Sequence, residues 1–176
     1  MNKSSQDLSA LTFDQFIKSL RIIHIAMVLG SFLMIIVTRI ILGFDDFNIQ
    51  EINYQYAMLG LLAVISAIFI GKKIATLMKN KISSSHTLES KITLIQGAIT
   101  IEYVFSEIPI MFCVIIGFML NEFSLTVIAA LSLIYLWSIK PDKSVIIETL
   151  QLKQNERSYV LGNLTLKEWN DSLDYQ

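Results

Sequence analysis

The chain has 176 residues, of which 53% are hydrophobic and only 16% charged, with a formal net charge of −1. That length suits one domain, and the apolar residues come in long blocks, which points to membrane spans rather than to a large soluble core. A single cysteine, Cys113, and two histidines, His24 and His86, exclude an internal disulfide and provide no metal-ligand spacing; nothing calls for nucleic acid as a partner.

Residues 1–20 carry no apolar run. Thr12 followed three residues later by Gln15 is a capping-box pattern, so a helix is predicted to start there. Lys18 and Arg21 precede the first apolar block, 22–43. A basic flank before an apolar run also describes a signal peptide, but this block is long and is followed by acidic residues instead of a small-residue cleavage site, so it reads as a retained span. The acidic stretch 44–55 is bordered by Phe44, Phe47, Tyr54 and Tyr56, as interfacial aromatics border a span. The second predicted span covers 56–78, with Gly60, Ala63, Ala67 and Gly71 along one side, a pattern that lets helix backbones approach closely.

Residues 72–91 are basic and then serine-rich and read as a loop, with His86 solvated in it. The third span is 92–120, residues 121–124 form a tight turn, and the fourth span is 123–139. Tyr135, Trp137 and Lys140 mark the interface there, and Pro141 ends the helix. In the polar tail, 144–152 reads as a short amphipathic helix. Thr165 and Glu168 form a second capping box, and Leu166, Trp169 and Leu173 share a helical face.

Basic residues orient these spans. Lys3, Lys18 and Arg21 precede the first; Lys72, Lys73, Lys79, Lys81 and Lys91 separate the second from the third; Lys140, Lys143, Lys153, Arg157 and Lys167 follow the fourth. Only Arg39 falls on the other side, so both termini are predicted to be cytoplasmic. The expected fold is all-α: a polytopic four-helix transmembrane bundle over 1–140, with an amphipathic cytoplasmic tail over 141–176. The expected location is the plasma (inner) membrane.

The most informative stretch is 91–120. Its apolar run carries two carboxylates, Glu102 and Glu107, and a proline, Pro109. At about 100° per residue, Thr93, Gln96, Thr100, Tyr103 and Glu107 fall on one narrow polar seam, with Glu102 and Ser106 on the adjacent face. A carboxylate at membrane depth costs at least ~2.5 kcal/mol on insertion scales, so the seam is expected to face protein or water. Glu107 and Glu102 then have three available roles: binding and releasing a proton, holding a cation with help from Gln96, Thr100 and Tyr103, or pairing with a basic group in a partner. Pro109 cannot donate to the carbonyl of Phe105, which frees that carbonyl and kinks the helix. Arg39 lies too close to the outer end, and His24 too close to the inner end, to neutralise Glu107.

The segment Phe105-Ser106-Glu107-Ile108-Pro109-Ile110 resembles the carboxylate-bearing helix of the proteolipid (c-type) rotor subunits of rotary ATPases, in which a midmembrane acid shortly before a proline carries the ion. The resemblance covers about 56–120 and implies that Glu107 is the ion carrier. Two functions of different classes follow from the residues. The first is a small membrane protein binding or translocating protons or cations through Glu107 and Glu102. The alternative is a non-catalytic assembly subunit whose carboxylates pair with a second copy or another membrane protein. The sequence has no nucleophile–base pair, phosphate loop or metal cluster, so no enzyme activity, cofactor or bound metal is expected.

Overall fold

The computed structural model describes residues 12–43, 53–82 and 87–152, and residues 156, 157, 160, 165 and 168 singly. The expectations for 44–52, for His86 and for Leu166, Trp169 and Leu173 lie outside the described residues. The described chain is helical, in five elements: α1 (Phe13–Leu42), α2 (Tyr54–Asn80), α3 (Leu88–Leu120), α4 (Phe123–Ser138) and α5 (Lys143–Leu150). Three of these, α1 to α3, are long and apolar enough to cross a membrane; a fourth span is reached only if α4 and α5 together make one broken span. With 16 residues, α4 alone extends about 24 Å, less than a typical ~30 Å hydrocarbon core.

Local chemistry sets the helix ends. At the start of α1 the Thr12 amide donates to Gln15 Oε1 at 2.9 Å and the Gln15 amide to Thr12 Oγ1 at 3.3 Å, which is the expected capping box. Gly43, at φ +84°, stops the same helix with its amide bonded to the Arg39 carbonyl. After α3, Asn121 adopts φ 51° and the Glu122 amide returns to the Gly117 carbonyl at 2.9 Å, so the chain reverses where a turn was expected. Asp142 caps α5 through the Ser144 amide at 2.9 Å.

The expected loop over 72–91 is corrected. α2 continues to Asn80 and α3 begins at Leu88, capped by the Thr87 hydroxyl, which accepts from the Ser90 amide at 3.4 Å. The reason is propensity: Lys72 to Asn80 contains no glycine or proline and is rich in good helix formers, so the helix outlasts its apolar run.

The chain divides into two compact units. One comprises 1–23, 76–99 and 141–176. Phe13, Phe16, Ile17 and Leu20 form its core with Ile82, Leu88, Ile92 and Ile95, and Ile146 and Leu150 of α5 are buried there too. Lys91 is fully buried in this unit: its Nζ donates to Glu156 Oε2 at 2.8 Å and to the Gln151 carbonyl at 3.3 Å. Lys143 reaches Asp14 at 2.6 Å in a solvent-exposed pair. Thr12 and Thr165 form an antiparallel bridge. Thr165 heads the second capping box, in which its amide and hydroxyl both donate to Glu168 Oε2 at 2.8 Å, and these bonds hold the Glu168 carboxyl below its ordinary range.

The other unit comprises 24–75 and 100–140. Its buried apolar side chains include Val28, Val64, Ala75, Ile110, Val114, Leu125, Ala129 and Leu136. Large apolar side chains are also exposed along its helices, among them Leu33 and Ile40 of α1, Leu62 and Phe69 of α2, Ile115 and Met119 of α3, and Leu131 and Ile134 of α4. Close approach of α2 depends on small residues. A Cβ at Gly71 would lie 2.5 Å from Phe105 Cβ, which moves only with the α3 backbone, whereas one at Gly60 would meet the mobile tip of Leu125 at 2.7 Å. Gly71→Ala is therefore expected to cost about 1–3 kcal/mol, as overpacking does, and more than Gly60→Ala. Thermal unfolding of the two variants in detergent checks this; equal losses would contradict the asymmetry.

Candidate functional site

Within the second unit, α1 turns an unusual face inward. His24, Ser31 and Thr38 are all buried, at spacings of seven residues, which is two helical turns and therefore one face. Arg39 is buried beside them. α4 likewise buries Ser124, Thr126 and Ser132, and α3 buries Tyr103 and Ser106. Thr100, Glu102 and Glu107 of α3 are half-buried.

The hydrogen bonds separate satisfied groups from orphaned ones. Ser106 donates to the Glu102 main-chain carbonyl at 2.7 Å and Ser132 to that of Ile128 at 2.8 Å, so both hydroxyls are occupied within their own helices. Arg39 donates to Thr126 Oγ1 from Nε at 3.1 Å and Nη2 at 2.6 Å, and its guanidinium lies 4.9 Å from the Phe123 ring centroid. His24 Nε2 is 2.8 Å from the Leu136 carbonyl oxygen. A carbonyl only accepts, so the Nε2 proton is assigned from its partner. The hydroxyls of Tyr103, Ser31 and Ser124 are buried and meet no hydrogen-bonding group among the described residues. Natural proteins keep few such groups.

Two pairings across α1 and α3 bring these groups together. The His24 and Tyr103 ring centroids are 5.0 Å apart at a 45° tilt. One turn further along α3, the Glu107 carboxyl lies beside the Ser31 hydroxyl of α1, although no hydrogen bond closes on Ser31 Oγ. Glu102 adjoins Tyr103 electrostatically. Pro109 lies inside α3, which remains helical on both sides of it, so the Phe105 carbonyl lacks its usual amide donor.

The seam residues all lie on the continuous helix α3. Thr100, Tyr103 and Glu107 belong to this unit with Glu102, while Thr93 and Gln96 belong to the other. Thr93 is exposed and bonds the Glu89 carbonyl at 2.9 Å. Ser31, Thr38 and the facing position of His24 were missed in the sequence, although polar residues repeating every two turns in an apolar helix are a readable signal. An apolar groove of about 370 Å³ lined by Val28, Leu29, Phe32, Leu133, Ile134 and Trp137 also lies in this unit, and it offers no ligand for a proton or cation. Among the described residues no group of three or more His, Cys, Asp or Glu gathers as a metal site would.

Comparison with protein-family models, with curated proteins and with solved structures found no match. The likeness of about 56–120 to the rotor subunits rests on the sequence alone.

Proposed function

We propose that this is a small integral membrane protein that binds and exchanges protons or cations at Glu107. Its spans are α1, α2 and α3, with the shorter α4 as a fourth that local thinning of the bilayer accommodates. The bilayer covers the outward Leu, Ile, Phe and Met side chains, a surface too apolar and continuous for water. Both termini are cytoplasmic and the membrane is the plasma (inner) membrane.

The observation that carries the reading is the pairing of a half-buried carboxylate with an orphaned hydroxyl, Glu107 with Ser31, on the inward faces of two apolar helices. An acid at that depth is retained where its chemistry is used. On α3, Thr100 and Tyr103 share its helical face, Glu102 lies on the adjacent one, and Gln96 and Thr93 continue the face along the helix. The rotor-subunit likeness assigns the same carrier role to Glu107.

Exchange is tested with Glu107→Gln, which keeps the shape and removes the titratable group; it is expected to insert normally and lose exchange. Pairing with a partner protein is the other outcome, read as loss of co-purification in the same variant. Topology is tested separately with reporter fusions after Gln176 and within 44–52, which are expected to report opposite sides of the membrane. A C-terminal fusion reporting from outside contradicts the orientation.

A further inference from the structure

We propose that the species exchanged at Glu107 is a proton, and that His24 and Tyr103 form the leg of its path that leads toward the cytoplasmic ends of α1 and α3. The inference rests on the reading of Glu107 as the exchange site.

The donor set argues against a hard cation. Such ions take six or more oxygens, or an octahedral shell. Around Glu107 stand its own carboxylate, the Ser31 hydroxyl and the carbonyl that Pro109 leaves without a donor. The residues that continue toward the cytoplasmic side are a phenol and an imidazole, groups that pass protons and do not suit such ions as ligands.

The order of groups is the same on both helices. His24 faces Tyr103, and Ser31 faces Glu107, with Glu107 one turn beyond Tyr103 on α3. Tyr103 is 2% exposed and its hydroxyl meets no protein group among the described residues, so that hydroxyl is uncommitted. Among the described residues His24 Nε2–H is held by the Leu136 carbonyl, and Nδ1 is the ring's second nitrogen for a proton. Three further charged groups of the unit are placed by their contacts. Glu102 adjoins Tyr103, Arg39 binds Thr126 of α4, and Lys72 of α2 lies 5.4 Å from the Tyr135 ring of α4.

The transfer balances without any other reactant. A proton bound at His24 Nδ1 passes to the Tyr103 oxygen as the phenolic proton leaves toward Glu107 by way of the Ser31 hydroxyl, with a water bridging each gap that no direct hydrogen bond closes. His24 returns to neutral, Tyr103 and Ser31 keep one proton each, and the Glu107 carboxylate becomes a carboxylic acid. One positive charge has moved from the imidazole to the acid.

His24→Gln and Tyr103→Phe test this. Glutamine can still donate to the Leu136 carbonyl but cannot hold the extra proton, and phenylalanine removes a hydroxyl that bonds nothing among the described residues. The purified chain is placed in phosphatidylcholine–phosphatidylglycerol vesicles with a trapped pH dye, and a potassium diffusion potential drives flux. Each variant is expected to remain monodisperse and helical while proton flux falls ~100-fold, the low end of a positioned acid–base group's contribution, and Glu107→Gln is expected to fall to the level of empty vesicles. Wild-type flux in both His24→Gln and Tyr103→Phe, with Glu107→Gln inactive, overturns the relay and leaves the Glu107 reading intact. Wild-type vesicles no more permeable than empty ones, or flux unchanged in Glu107→Gln, overturn both. Flux carried by sodium or calcium in place of protons overturns the proton assignment. Should His24→Gln fail to fold, Tyr103→Phe decides the relay alone.

Discussion

Glu156→Leu is expected to destabilise the unit containing α5 by about 3–5 kcal/mol, the range for removing one partner of a buried ion pair. The Lys91 side chain is fully shielded from solvent and its ammonium sits 2.8 Å from Glu156 Oε2. Without that carboxylate, Lys91 retains the Gln151 carbonyl at 3.3 Å and an uncompensated charge in an apolar core of Leu88, Ile92 and Ile95. The double variant Lys91→Met/Glu156→Leu removes both charges and is expected to recover most of the loss. Asp14→Ala breaks only the exposed pair with Lys143, worth ~1 kcal/mol or less. Hydrogen exchange across α5 and the first turns of α3 ranks the three variants. If Glu156→Leu exchanged no faster than Asp14→Ala, Lys91 would not be buried as described.

Glu107→Gln and Glu107→Lys are expected to separate chemistry from folding. Glutamine is close to isosteric, and a neutral amide at this depth costs less than a charge, so the variant folds and exchange disappears. Lysine puts a cation against Ser31 on an inward face that also buries the Arg39 guanidinium on α1. A charged side chain near a span centre costs about 2.5–3.5 kcal/mol on insertion scales, and that is the loss of stability expected for Glu107→Lys. Purification yield and thermal unfolding in detergent report folding, and vesicle flux reports exchange. Equal folding of the lysine variant and the wild type would show that the Glu107 side chain reaches water freely.

Features set by a few neighbouring residues were legible in the sequence. The Thr12–Gln15 and Thr165–Glu168 capping boxes, the turn at Asn121, the stop at Pro141 and the tail helix of α5 each follow from local capping or backbone restriction. The seam on α3 was legible as a helical face, because Thr100, Tyr103 and Glu107 are fixed by helical period alone. Its partners were not. Which hydroxyl stands by Glu107 depends on how α1 packs on α3, a contact between residues 76 positions apart in the chain, Ser31 and Glu107. Lys91 illustrates the same limit. At the edge of an apolar run it reads as a solvated flank, and only the tail residue Glu156 makes its burial tolerable. The loop expected over 72–91 was too long because hydropathy falls at Lys72, while helix propensity does not.

In the proposed exchange, Glu107 takes up and releases the exchanged species. The most direct measurement is an infrared difference spectrum of the protein in bilayers as pH and cation concentration are stepped, recorded for the wild type and for Glu107→Gln. A carboxyl band that responds to the step is expected in the wild type and is expected to be missing from the Glu107→Gln spectrum. Identical spectra from the two proteins at every step would contradict it.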